Sequence, residues 1–207
     1  MRRQFLSRMA MAIFCLVVGA RYDWAATAKR SPPFENLTFI ESKMTLWRRS
    51  TWTDMVPKPW LMSGAGHYDR LTIHHAGETT NFNLDKNAVI RDLEGVLTEH
   101  VERHYGDIGY HFIIDYAGRV WEGRSLAYDG AHVSGQNDNN IAVMLLGNFE
   151  KQKPSAAQLA SMKQLVELLR EHFRIKRYRI YSHRDLGQSA CPGRHLYAHV
   201  SRLREQL

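Results

Sequence analysis

The stretch "NNIAVMLLGNF", Asn139 to Phe149, sets the strongest limit on what this chain can fold into. It is apolar at consecutive positions from Ile141 to Leu146, where a half-exposed strand would alternate with polar residues. A strand without that alternation is covered on both faces, so layers must lie above and below it. The neighbouring segments carry their own periods. "RLTIHH" reads as a strand. "NLDKNAVIRDLEGVLTEHVERHYG" reads as a helix with Val89, Leu93, Val96, Leu97 and Val101 along one stripe and Gly106 placed to end it. "YHFIIDYAGRVWEGR" reads as a hairpin around Asp115-Tyr116-Ala117-Gly118. "SAAQLASMKQLVELLREHF" is a helix capped by Ser155, with Leu159, Met162, Leu165, Val166 and Leu169 as its stripe. "RYRIYSH" is a last strand, and "PGRHLYAHVSRLREQL" opens a final helix. Strands and helices interleave, which predicts an α/β fold: a three-layer domain with a central mixed β-sheet flanked by helices.

The N-terminus has a different character. Arg2, Arg3 and Arg8 precede an apolar run from Met9 to Ala20, and small-residue cleavage sites follow at Ala20 and Ala28. Residues 1–28 therefore read as a signal peptide. The run is too short to cross a hydrocarbon core of about 30 Å as a helix. Arg2-Arg3-Gln4-Phe5-Leu6 resembles the twin-arginine export motif, and an ordinary secretory signal is the other reading. Phe14 sits where a lipobox needs a small residue, which argues against a lipid anchor on Cys15. Residues 29–67 show no sustained period and hold Pro32, Pro33, Pro57 and Pro59; they read as an extended segment packing on the domain through Trp47, Trp52 and Trp60. Residues 68–207 form the domain itself. The net charge of +7 includes four arginines and one aspartate of the signal, so its removal leaves +4. That mild excess suits an acidic polymer such as a cell wall. It is too weak to argue for nucleic acid, and no basic run with interleaved aromatics supports one.

The chain has two cysteines, Cys15 and Cys191. Loss of the first with the signal leaves Cys191 alone in an oxidising compartment, without an intramolecular disulfide partner. It is then a buried apolar residue, a nucleophile or a metal ligand. His74 and His75 close one strand and alternate between its faces. His183 closes another, and Cys191 follows in a loop held by Pro192 and Gly193. Two histidines and a cysteine at such positions suit a tetrahedral zinc site with its fourth position open. Hydrogen-bonded histidines of the core are the alternative. His100 and His104 share a helix face, but the zinc-protease pattern wants Glu where Val101 stands, so they read as a solvated face. His111, His172, His195 and His199 have no partner suggested by spacing.

Four motifs in order, "LTIHHAG", "DIGYHFIIDYAGRVWEGR", "GAHVSGQNDNNIAVMLLGNF" and "SHRDLGQSACPG", resemble the peptidoglycan recognition protein and type 2 N-acetylmuramoyl-L-alanine amidase superfamily. "WRRSTW" (Trp47 to Trp52) resembles the segment that precedes the domain in recognition proteins. The resemblance implies a zinc ion (Zn2+) held by His74, His183 and Cys191, and hydrolysis of the amide between N-acetylmuramic acid and L-alanine of the stem peptide. Members that only bind peptidoglycan commonly lack the cysteine, so its presence favours the enzyme; a non-catalytic recognition module is the alternative. Tyr110 matches the catalytic tyrosine. Ser189 stands where many amidases carry Lys or Thr, and its neutral hydroxyl cannot supply a lysine's charge. His132 and Arg124 match positions bordering the substrate groove, and His75, beside a ligand, is a candidate either to support that ligand from behind or to line the groove. The expected partner is peptidoglycan, glycan strand and stem peptide together, met by a monomer exported to the periplasm or secreted. A cytosolic recycling enzyme on the same fold is disfavoured by the export signal.

Overall fold

The computed structural model describes residues 36–206. The signal-peptide reading of residues 1–28, and Cys15 with it, lies outside the described residues. Within them a short helix α1 (Thr38–Glu41) and strand β1 (Leu46–Trp47) precede β2 (Arg70–His75) and the long helix α2 (Lys86–Glu102). The hairpin β3 (Phe112–Ile114) and β4 (Val120–Glu122) leads to β5 (Asn140–Leu145) and helix α3 (Ala156–Phe173). Strand β6 (Ile180–Ser182), the one-turn helix α4 (His183–Leu186) and helix α5 (Arg194–Gln206) complete the chain. The described strands form one sheet in the order β1-β4-β3-β5-β2-β6. β5 runs parallel to β2 and β3, β2 runs parallel to β6, and only the β3–β4 hairpin is antiparallel.

The predicted three layers are present. Leu71 and Ile73 of β2 and Ile141, Val143 and Leu145 of β5 face one core, closed by Met162, Leu165, Val166 and Leu169 of α3 and by Leu196, Val200 and Leu203 of α5. Met144 and Ile113 face the other, closed by Val89, Leu93 and Leu97 of α2. Every residue of β5 is buried, as its unbroken apolar run requires. The helix starts are chemically fixed. Asp85 accepts the Ala88 N–H (2.8 Å), and Ser155 and Gln158 exchange a reciprocal capping box.

The segment before residue 68 is less extended and more integral than its composition predicts. Helix α1 buries Ile40, and β1 pairs parallel with β4, registering Trp47 beside Trp121. Trp52 is buried and donates to the Glu122 carbonyl (2.8 Å), whereas Trp60 is exposed. Elements of two to four residues are too short to leave a period, so only the tertiary contacts define them.

The core also contains two histidines to which the sequence assigned no core role. The His111 backbone N–H donates to Ala142, and the Ala142 N–H returns a hydrogen bond to His111 Nδ1 (3.0 Å), so the imidazole continues the ladder where a carbonyl would. Its Nε2–H points to the Tyr128 carbonyl (3.0 Å). His100 is likewise buried, and its Nδ1 accepts the Gly109 N–H (2.9 Å), which corrects the solvated reading of the His100–His104 face. Burial pushes the His111 pKa down to about 3 and that of His100 to about 4. In the unfolded chain both take up a proton near pH 6.5. The unfolded state then binds more protons throughout this interval, so stability is complete above about pH 6.5 and is lost as pH falls towards the folded-state values. Urea midpoints should decline from pH 7 to pH 4. His111→Asn, which keeps an acceptor in place of Nδ1 but cannot titrate, should flatten that decline; an unchanged slope would contradict the assignment.

Candidate metal centre and groove

The register of the sheet assembles the centre. Ile73 pairs with Ser182, so the next residues, His74 and His183, leave adjacent parallel strands side by side. Their rings lie 5.0 Å apart between centroids. His183 is the first residue of α4 and not the end of a strand, because Asp185 turns back to accept both the Ser182 N–H and its hydroxyl (2.8 Å each). Cys191 enters from the following loop. Gly193, at φ +86°, lets that loop lie against β5's exit, where a Cβ would come within 2.4 Å of the Phe149 carbonyl carbon. One ligand atom from each of His74, His183 and Cys191 then falls within 4.8 Å of the others, the one such group of three among the described residues.

The spacing fits a bound ion. Cys191 Sγ stands 3.6 Å from His74 Nδ1. Zinc bonds of about 2.3 Å to sulfur and 2.0–2.1 Å to nitrogen, meeting at a tetrahedral angle, separate those two atoms by about 3.5–3.6 Å. The electrostatics agree. Burial drives the His74 pKa well below its usual value, with His132 and His183 adding repulsion, and burial also lowers His183. Both imidazoles are thus neutral, the state that ligates. Burial pushes the Cys191 thiol up to about 12, against the N–H···S bond that His75 donates from its backbone (3.4 Å). A cation displacing the thiol proton would supply the charge this pocket otherwise disfavours.

Tyr110 stands between this cluster and a groove of about 500 Å³. Its ring lies 5.2 Å from that of His74, and it lines the groove together with Ala76 and Gly147. Arg91, Gly95 and Glu99 on the polar face of α2, with Arg103 at its C-terminal cap, also line the groove. These four are spaced by four residues, a helical stripe that was visible in the sequence once the apolar stripe was assigned. Ser189 does not stand free in the site: its Oγ accepts the Cys191 N–H (3.1 Å) and shapes the ligand loop.

The three residues expected in the groove are placed otherwise. His132 sits behind the cluster, its Nδ1 2.9 Å from His74 Nε2. His75 is buried on the far face of β2, where its Nδ1 accepts the Phe149 N–H (3.2 Å). Arg124 is only 3% exposed. Its guanidinium donates to the carbonyls of Tyr105, Asp107, Ile108 and Asp129 (2.7 to 3.1 Å), so it clamps the loop that leads into Tyr110. A buried planar donor meeting four carbonyls is a tertiary arrangement that no local sequence signal announces.

Fold and cluster together define an α/β protein with a metal-competent N,N,S centre at the carboxyl ends of parallel strands. Residues 65–194 match the family profile described as N-acetylmuramoyl-L-alanine amidase, and the chain belongs to that family. It is 29% identical to peptidoglycan-recognition protein SD of Drosophila simulans over 161 residues, covering 77% of this chain and 86% of the relative. Among solved structures, a mutant of Drosophila PGRP-LB in complex with tracheal cytotoxin superposes with a TM-score of 0.68 at 26% identity, covering 75% of this chain and 92% of the other. The amidase LysC of Clostridium intestinale superposes at 0.62 with 20% identity, covering 78% and 98%, a likeness of fold alone.

The clamp gives a direct test of the Arg124 assignment. Arg124→Met orphans several buried carbonyls and should cost about 3 kcal/mol or more in urea unfolding. An unchanged stability with weaker substrate binding would restore the groove role instead.

Proposed function

We propose that this chain is a zinc-dependent N-acetylmuramoyl-L-alanine amidase that cleaves the amide between N-acetylmuramic acid and the L-alanine of peptidoglycan stem peptides. The observation that carries the reading is the convergence of His74, His183 and Cys191 within 4.8 Å, with Tyr110 next to them at the groove. Zinc held by these three would supply a Lewis acid for the scissile carbonyl and a water acidified to a pKa of about 7. The remaining work falls to the chain's own groups. Burial, with the neighbouring Cys191 adding to it, raises the Tyr110 pKa, so its hydroxyl stays protonated at neutral pH and acts as a donor. It hydrogen-bonds the carbonyl oxygen as that atom gains charge in the transition state. Ser189 holds the Cys191 loop through the N–H it accepts, and its hydroxyl proton is left to serve as a second, weaker donor. The groove along α2 takes the stem peptide.

Residues 1–28 would direct export, placing the protein in the periplasm or outside the cell as a monomer in contact with the wall. Among the described residues no helix is long and apolar enough to cross a membrane. Recognition of peptidoglycan without hydrolysis is the second reading, favoured by the neutral Ser189 and by the recognition proteins among the relatives.

Two substitutions separate the readings. Cys191→Ser should lose zinc, measured by metal analysis of the purified protein, and lose hydrolysis while still pulling down with insoluble peptidoglycan. Tyr110→Phe should retain zinc and lower kcat by about 10²–10³, the usual cost of one such donor. Normal hydrolysis by Cys191→Ser would overturn the metal assignment, and full activity of Tyr110→Phe would remove that residue from the chemistry.

A further inference from the structure

We propose that His132 is a positioning residue that locks the proton of His74 onto Nε2 and so presents Nδ1 to the metal as a bare lone pair. The inference rests on the zinc reading above and deepens it. It follows from one acceptor whose identity is fixed. His132 Nε2 lies 3.2 Å from the Asn140 carbonyl, and a carbonyl only accepts. His132 therefore carries its proton on Nε2 and has a lone pair on Nδ1. That lone pair faces His74 Nε2 at 2.9 Å, so the shared proton belongs to His74. The opposite nitrogen of His74 is left unprotonated, and it is the one 3.6 Å from Cys191 Sγ. A backbone carbonyl thus sets the tautomers of two imidazoles in series and makes the inner one a ligand before any ion arrives.

The surroundings are built around this ring. Asn137 Oδ1 accepts the N–H groups of both His132 and Val133 (2.9 and 2.8 Å), which fixes the loop. The side chain of Asn140 is held by Thr72 (2.9 Å) and by the Gln136 carbonyl (2.8 Å), which steadies the strand that offers the acceptor. A Cβ at residue 130 would lie 2.4 Å from His132 Cδ2 and 2.9 Å from its Nε2, so Gly130 leaves the space the imidazole occupies. The rings of His74 and His132 meet edge to face, with an interplanar angle of 89°, as an in-plane N–H···N bond between crossed rings allows.

The test compares His132→Asn, whose Oδ1 replaces the Nδ1 acceptor, with His132→Leu, which has none. Zinc affinity is read by competition with a chromophoric chelator, and the His74 tautomer by ¹H–¹⁵N imidazole spectra of the metal-free proteins. His132→Leu should bind zinc about 10–100-fold more weakly, and His132→Asn should stay within about threefold of the unaltered protein. Metal-free His74 should be a single Nε2–H tautomer in the unaltered protein and in His132→Asn, and a mixture in His132→Leu. Gly130→Ala, which displaces the ring without removing it, should weaken zinc binding in the same direction. Wild-type affinity in His132→Leu would overturn the proposal. So would equal losses in both His132 variants, which would assign the effect to packing, or a raised KM at unchanged zinc affinity, which would assign it to substrate contact. An unaltered protein that binds no zinc would refute the zinc reading, and the tautomer spectra would still decide the His74–His132 bond.

Discussion

The parallel pairing of β2 with β6 is the constraint on which the centre depends. Its register sets Ile73 opposite Ser182 and so delivers His74 and His183 together at the carboxyl edge of the sheet. A slip of one residue would send one of the two imidazoles to the opposite face. The register is in turn enforced from both sides, because Leu71 and Ile73 must enter one core while β5, paired with β2 over six residues, has no exposed position to spare. Ligand sites outside the carboxyl ends of parallel strands are the general outcome of such sheets. Here Cys191, the third member of the cluster, arrives by a loop whose path requires the positive φ of Gly193.

A second theme is that the buried polar groups beside the site are satisfied by backbone. Arg124 meets four carbonyls, His111 substitutes for a carbonyl in the sheet ladder, and Asp115 accepts the Arg119 backbone N–H (3.0 Å). Such groups are costly to leave unpaired, so each one pins the segment that partners it. The cluster of His74, His183 and Cys191 follows a different logic. Two neutral imidazoles and a protonated thiol lie together without charge repulsion. His132 stands behind His74, and the His75 backbone N–H donates to the Cys191 sulfur.

Much of this was legible in the sequence. The apolar run 141–146, the stripes of α2 and α3 and the Ser155 cap each carry a local period or a local hydrogen bond, and each element appears where that signal put it. His74, His183 and Cys191 were legible because a strand pattern and a Pro-Gly loop are local features and the family resemblance then joined them, although His183 opens α4 instead of closing β6. What escaped was everything decided across the fold. Arg124 sits in a motif at the groove's edge yet turns its guanidinium inward. His132 and His75 share that history. His100 lies on a helix face with charged neighbours, and only the approach of Gly109 makes it a core residue. The segment 36–67 gave no period because its strand and turns are too short to have one, although β1 extends the sheet and Trp52 seals a core.

The measurement that tests the central claim most directly is mass spectrometry of purified peptidoglycan treated with residues 29–207, with and without a zinc chelator. The account predicts release of intact stem peptides beginning at L-alanine, abolished by the chelator and restored by added zinc. Zinc bound at one ion per chain with no stem peptide released, from either common stem-peptide type, would contradict hydrolysis and leave a metal-binding recognition protein.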